Sequence, residues 1–132
     1  MMRMWLAVAA VLLVGLSLSN AAEPQSSLPN DQRWEQARKG LAQGKAGEAK
    51  SIFEELLKEY PNEGDLHLFL GMAKLRLRDP QGAILAAKRA IALEPKHIDA
   101  RTFLAWIELE VRGDADAAIG EYKKIIELHP EL

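Results

Sequence analysis

Apolar residues recur at every third or fourth position in two runs, both between residues 64 and 95. The runs are Leu66, Leu70, Ala73 and Leu77, then Ala83, Ala87, Ala90 and Ile91. This spacing places each run on one face of an α-helix. Between the runs stand Asp79, which favours a helix N-cap, and Pro80, which favours the first helical turn. The stretch therefore predicts two helices folded back on each other through a short turn.

The same unit recurs on both sides of this stretch. The residue numbers of equivalent positions in the second helices differ by 34 and then by 35, and those in the first helices differ by 34 both times. The matching sets are Ala49, Ala83 and Ala118; Phe53, Ala87 and Tyr122; Leu57, Ile91 and Ile126; Pro61, Pro95 and Pro130; and Ala37, Gly71 and Ala105. We expect the one extra residue near the turn at residues 112–114. A period of this length is typical of stacked helical repeats.

Residues 30–130 resemble three tetratricopeptide repeats. Ala37, Gly71 and Ala105 match the small site where the two helices of a unit touch, and the recurring prolines match the end of each unit. The middle unit departs from the pattern at Ala87, where an aromatic ring is usual, and at Arg78, where a turn glycine is common. The resemblance implies an all-α, right-handed solenoid of three antiparallel helix pairs. Its expected bounds are residues 31–132, with units at about 30–61, 62–95 and 96–130.

The resemblance also implies that the first helices line a concave groove that binds a segment of a partner protein. Spacing of i, i+4 and i+7 assigns ten residues to that face. They are Trp34, Arg38, Leu41, Leu68, Met72, Leu75, Arg76, Thr102, Trp106 and Leu109. Aromatic and arginine side chains are frequent anchors of such surfaces, but Trp34 and Trp106 could instead fill the core between repeats. The carboxylate clamp of one subclass of the family is not supported, because Trp34 and Arg38 occupy its first-unit positions.

Residues 1–22 have the layout of a secretory signal peptide. Arg3 precedes an uncharged, largely apolar run over residues 5–18, and small residues follow at Ala21 and Ala22. A helix over that run would be about 21 Å long, which is shorter than the ~30 Å hydrocarbon core of a membrane. We therefore expect cleavage, a short linker at residues 23–30 and a periplasmic location. The alternative is an uncleaved anchor that holds the domain at the inner membrane, facing the periplasm.

Charge and composition exclude several classes of function. The net charge is −2, and removal of residues 1–22 takes away one arginine and no acid, so a basic nucleic-acid footprint is absent. The chain has no cysteine, no glycine-rich phosphate loop and no Gly-x-Ser-x-Gly motif, so neither an enzyme nor a cofactor is expected. His67, His97 and His129 lie too far apart for a local metal motif. Asp31, Asp65 and Asp99 recur with the period of the repeat at first-helix starts, where we expect them to cap the helices.

The sequence thus predicts a non-catalytic protein-interaction module. The alternative is a structural accessory subunit of an envelope complex that makes its contacts through the open ends of the stack. At the C-terminal end, Ala118, Tyr122 and Ile125 are expected to face their own partner helix, which leaves Ile119 and Ile126 on a neighbouring stripe. That stripe is a candidate interface, either for a homodimer or for a partner complex.

Overall fold

The computed structural model describes residues 27–132, and these form three antiparallel helix pairs in a right-handed stack. A 3₁₀ turn at Leu28–Asn30 comes first. The helices are α1 (Gln32–Ala42), α2 (Ala46–Glu59), α3 (Gly64–Arg76), α4 (Pro80–Leu93), α5 (Ile98–Trp106) and α6 (Ala115–Leu128). A π-helical turn at Ile107–Val111 extends α5. The predicted all-α solenoid is confirmed, whereas the predicted signal peptide lies outside the described residues.

The turn inside each unit is built in the same way three times. One residue adopts a left-handed backbone: Gly44 with φ of 82°, Arg78 with φ of 64° and Gly113 with φ of 70°. In the second and third units an aspartate then caps the next helix. Asp79 accepts a hydrogen bond from the Gly82 amide at 2.9 Å, and Asp114 does the same for Ala117 at 3.0 Å. The predicted cap at Asp79 is confirmed.

The extra residue of the third unit lies in the helix, not in the following turn. The Arg112 amide donates to the Ile107 carbonyl at 3.1 Å, a bond that spans five positions where an α-helix would span four. The turn after it has the same length as in the middle unit, since one left-handed residue precedes the capping aspartate in both. The extra residue was expected near the turn at residues 112–114, and it lies in the π-helical turn at Ile107–Val111, directly before that turn.

The contact between the two helices of a unit requires small residues. Ala37 and Ala105 are fully buried. A Cβ added at Gly71 would lie 3.2 Å from the Ala83 carbonyl oxygen, from Cβ of Ala86 and from the Phe103 ring. Because a Cβ at Gly71 would require these neighbours to move by a few tenths of an ångström, the small residue at this position allows the close approach of the helices.

The repeated aspartates do not all act as caps. Asp31 caps α1, because its carboxylate accepts a hydrogen bond from the Arg33 amide at 3.0 Å. Asp65 and Asp99 instead occupy the first turns of α3 and α5, one residue inside each helix start. His97 caps α5, with its Nδ1 accepting from the Ala100 amide at 3.2 Å. The capping prediction is therefore correct for Asp31 and wrong for Asp65 and Asp99.

One buried ion pair joins the two helices of the third unit. The Arg101 side chain is 9% exposed and donates to Glu121 at 3.1 Å and to the Pro95 carbonyl at 2.8 Å. Both contacts stabilise the buried guanidinium, because burying it without acceptors is costly.

Among residues 27–132, no helix is long and apolar enough to cross a membrane.

Candidate functional site

The candidate site is a largely apolar cleft of about 390 Å³ between α3, α5 and α6. Helices α3 and α5 supply most of its wall, and α6 closes one side with a tyrosine. The lining residues are Leu68, Phe69 and Met72 of α3; Asp99, Thr102, Phe103 and Trp106 of α5; and Tyr122 of α6. The cleft therefore lies on the side of the stack that the first helices form.

Helix periodicity brings the α5 side chains together. Asp99, Thr102 and Trp106 are three and then four positions apart, so they lie along one face of the helix. Trp106 remains 47% exposed and Tyr122 41% exposed, although large aromatic side chains are usually well buried. Two half-exposed aromatic rings beside the apolar floor at Leu68 give the cleft a surface that a partner's side chain could cover.

The cleft opens where the middle unit departs from the repeat pattern. In the first unit Trp34 packs edge-to-face on Phe53 and Phe69, with ring centroids 5.9 and 5.0 Å apart. One repeat later, Leu68 stands in the position of Trp34 and Ala87 in that of Phe53. These side chains are smaller, so less volume fills the space between α3 and α5 than between α1 and α3.

Arg38, another residue predicted for the groove, does not line the cleft but contacts Phe69, which does. Its guanidinium carbon lies 5.4 Å from the Trp34 ring centroid and 5.6 Å from the Phe69 centroid, within cation–π range. It also pairs with Glu35 at 3.5 Å. Phe69 is thus contacted by Arg38 on one side while it lines the cleft.

Only part of the predicted groove lines the cleft. Leu68, Met72, Thr102 and Trp106 do so. Trp34 and Leu41 are 7% and 5% exposed in the first core cluster, which corrects their assignment to a partner-facing surface and agrees with the core interpretation of Trp34.

The remaining predicted residues lie elsewhere. Leu75 packs against the second core cluster, Arg76 donates to the Leu41 carbonyl at 2.9 Å, and Leu109 lies in the π-helical turn. Four lining residues were missed: Phe69, Phe103, Asp99 and Tyr122. Phe69 and Phe103 occupy equivalent positions of two successive repeats, a signal that the repeat comparison could have used.

The three repeated aspartates differ in their partners. Asp31 is held by Arg33 at 2.7 Å, and Arg33 also binds Glu59 at 2.7 Å. Hydrogen bonding to Arg33 lowers the pKa of both carboxyl groups. Asp65 lies 2.7 Å from Nε2 of His97. Asp99 makes no ion pair within the part of the chain that the structure describes, and it is the single charged residue in the cleft wall there.

The described residues hold no group of three or more His, Asp or Glu side chains that could bind a metal ion.

The C-terminal face of the stack is a second apolar surface. Ala118 and Ile125 are buried against the third unit, as predicted, whereas Tyr122 is exposed instead of packed inward. Ile119 and Ile126 are 49% and 68% exposed. Together with Tyr122 they form one stripe along α6.

Two family models with the same description match the chain. A family model described as Tetratricopeptide repeat matches residues 40–107, and a second one with the same description matches residues 5–63 and 104–131. No curated protein matches the chain.

Solved structures share the fold. MamA from Desulfovibrio magneticus RS-1 is 19% identical with a TM-score of 0.70 over 75% of this chain and 55% of that one. Another MamA crystal structure is 26% identical with a TM-score of 0.64, covering 71% and 54%. The first TPR of Spaghetti (RPAP3), bound to the HSP90 peptide SRMEEVD, is 22% identical with a TM-score of 0.66, covering 74% and 77%. The chain spans about half the length of the MamA structures that it matches.

Proposed function

Because this chain belongs to the tetratricopeptide repeat family, we propose that it is a non-catalytic adaptor that binds a segment of another protein in the cleft between α3, α5 and α6. The observation that carries the proposal is the half-exposed Trp106 above an apolar floor in that cleft. Tryptophan is among the residues that contribute most to binding when a partner covers them. The RPAP3 domain, which has the same fold, is bound to a peptide, and this supports a segment of chain as the ligand.

The cleft suits one or two side chains rather than a folded domain. Its volume of about 390 Å³ is at the lower end of the range for small-ligand pockets. We therefore expect an extended segment that inserts an apolar side chain beside Met72 and Trp106. Affinity would then be modest, because a few residues supply most of the buried surface.

The test is a selection of peptides from a random display library by the full chain, followed by calorimetry on the selected peptide. Trp106→Ala should weaken binding by at least tenfold, and Thr102→Lys should weaken it by placing a long charged side chain in the cleft. Leu85→Ala is the matched control, since Leu85 is 68% exposed on α4 and does not line the cleft. Equal affinity of all four proteins would refute the proposal.

The second candidate function is that of an accessory subunit that assembles through its C-terminal end. The exposed stripe of Ile119, Tyr122 and Ile126 favours it, because the two isoleucines are 49% and 68% exposed and so forgo roughly half to two-thirds of the ~1.5–3 kcal/mol that full burial of each would give. We propose a second copy as the occupant, in a two-fold contact. Sedimentation equilibrium tests this two-fold contact: a dimer that the double variant Ile119→Lys, Ile126→Glu converts to a monomer supports it, and a monomeric wild type refutes the contact between copies.

Export to the periplasm remains part of the proposal. It rests on the sequence of residues 1–22, which the structure does not describe. The mature chain is expected to begin at Ala22 or Glu23 and to be released by osmotic shock. An intact N-terminus found in the membrane fraction would instead support the inner-membrane anchor.

A further inference from the structure

We infer that the bound segment carries a basic side chain next to its apolar one, and that Asp99 is the residue that recognises it. This inference rests on the proposed function, because it concerns the same cleft. Within residues 27–132, Asp99 is the only charged group in the cleft wall. The wall is therefore complementary to a ligand with a positively charged side chain. Asp99 is exposed, so its attraction for a cation is modest and is screened by salt.

The fold leaves Asp99 available for this role. The equivalent carboxylates of the first two units are engaged, Asp31 by Arg33 and Asp65 by His97. The N-cap of α5 is supplied by His97, so the helix does not require Asp99 as a cap. Asp99 does stabilise α5 slightly, because its negative charge lies in the first turn, near the positive end of the helix dipole. That contribution acts on stability and is independent of the charge of a ligand.

Helix geometry sets the distance between the two contacts. Asp99 and Trp106 are seven positions apart on one face of α5, which is about 10 Å along the helix axis. An extended polyproline-II-like segment advances about 3.1 Å per residue and repeats its direction every third residue. The basic residue is therefore expected three positions from the apolar residue that contacts Trp106.

The bound chemistry differs from that in the RPAP3 structure. The peptide SRMEEVD in that structure carries three acidic residues. A peptide of that charge would bring its carboxylates towards Asp99. The described cleft wall holds no cation, and Arg38, which contacts Phe69, is paired with Glu35. The cleft should consequently discriminate against acidic segments.

The experiment compares two capped peptides, Arg-Ser-Ser-Leu-Ser-Ser-Arg and Glu-Ser-Ser-Leu-Ser-Ser-Glu, which place the charge three positions from leucine in both directions. Each is titrated to millimolar concentration into the full chain, and the indole N–H signal of Trp106 is followed by NMR. The arginine peptide should bind on the order of tenfold more tightly than the glutamate peptide, and added salt should reduce the difference.

Two variants of Asp99 and one control complete the test. Asp99→Asn should lose about three- to fivefold of the affinity for the arginine peptide, and Asp99→Lys should reverse the preference. Asp116→Asn, which removes a first-turn carboxylate from α6 outside the cleft, should change neither affinity. Equal binding of both peptides, with Asp99→Asn unchanged, would overturn this inference and leave the cleft proposal standing. If neither peptide moves the Trp106 signal, the inference fails; if the library also yields no cleft ligand, the proposed function fails with it.

Discussion

Replacement of Arg78 by glycine should stabilise the protein. Arg78 has φ of 64°, whereas the equivalent residues of the other two units are Gly44 and Gly113. A left-handed backbone costs an L-residue about 1–2 kcal/mol, and glycine avoids most of that cost. The Arg78 side chain makes no hydrogen bond or ion pair among residues 27–132, so its removal loses no such contact there.

The gain is partly offset in the unfolded state. Glycine adds chain entropy to that state, which costs about 0.5–1 kcal/mol. The net stabilisation expected for Arg78→Gly is therefore about 0.5–1 kcal/mol. In a domain of this size, a change of about 1 kcal/mol corresponds to a shift of roughly 4–8 °C in the thermal midpoint.

The assay is thermal and urea unfolding followed by circular dichroism, with two matched variants. Arg78→Ala removes the side chain but keeps the unfavourable φ, so its midpoint should stay near that of the wild type. Gly113→Ala should destabilise by about 1 kcal/mol through the backbone alone, because a Cβ at that position meets no atom within 4 Å. If Arg78→Gly lowers the midpoint while Gly113→Ala leaves it unchanged, the reasoning about backbone strain is refuted.

Three further predictions concern the core, the ion pairs and pH. Trp34→Ala should cost about 3–5 kcal/mol of unfolding free energy, because Trp34 is buried on Phe53 and Phe69. Trp106→Ala should leave the urea midpoint nearly unchanged, because Trp106 is half exposed. Similar losses for both variants would contradict the core assignment of Trp34 and the surface assignment of Trp106. Glu121→Ala should cost about 1–3 kcal/mol by leaving the buried Arg101 guanidinium with fewer acceptors, and a neutral effect in urea unfolding would show that water replaces the carboxylate. Arg33 lowers the pKa of Asp31 below 3.8 and that of Glu59 below 4.5, so the stability from this network is present above those values and is lost as the pH falls through the folded-state pKa values. The variant Arg33→Gln should therefore lose less stability in acid titrations followed by circular dichroism. An identical pH profile for the wild type and this variant would rule out a contribution from the network.

The fold was predictable because the same residue types recur in register over three units. A small residue at Ala37, Gly71 and Ala105 and an alanine at Ala49, Ala83 and Ala118 each constrain a helix contact, so several positions independently indicate one architecture. The position of the π-helical turn was not predictable from the sequence. Counting residues shows that one is inserted, but the position depends on which backbone hydrogen bonds the packed helices leave available.

The site was predictable only in part, because the groove face and the core face of a first helix adjoin each other. Trp34, Leu68 and Thr102 occupy the same repeat position, yet Trp34 is buried in an aromatic cluster, Leu68 forms the floor of the cleft and Thr102 is exposed. The difference arises from their neighbours on other helices, such as Phe53 and Tyr122. A single helix pattern does not contain that information.

Binding in the cleft between α3, α5 and α6 is tested by locating a bound peptide on the protein. A peptide selected by the full chain is labelled with a nitroxide, and the resulting broadening of methyl signals is measured by NMR. A peptide bound in the cleft should broaden the Met72 and Thr102 methyl signals, with Leu85 on α4 and Ile126 on the C-terminal stripe much less affected. Strongest broadening at Ile126 or Leu85, with Met72 and Thr102 unaffected, would contradict it.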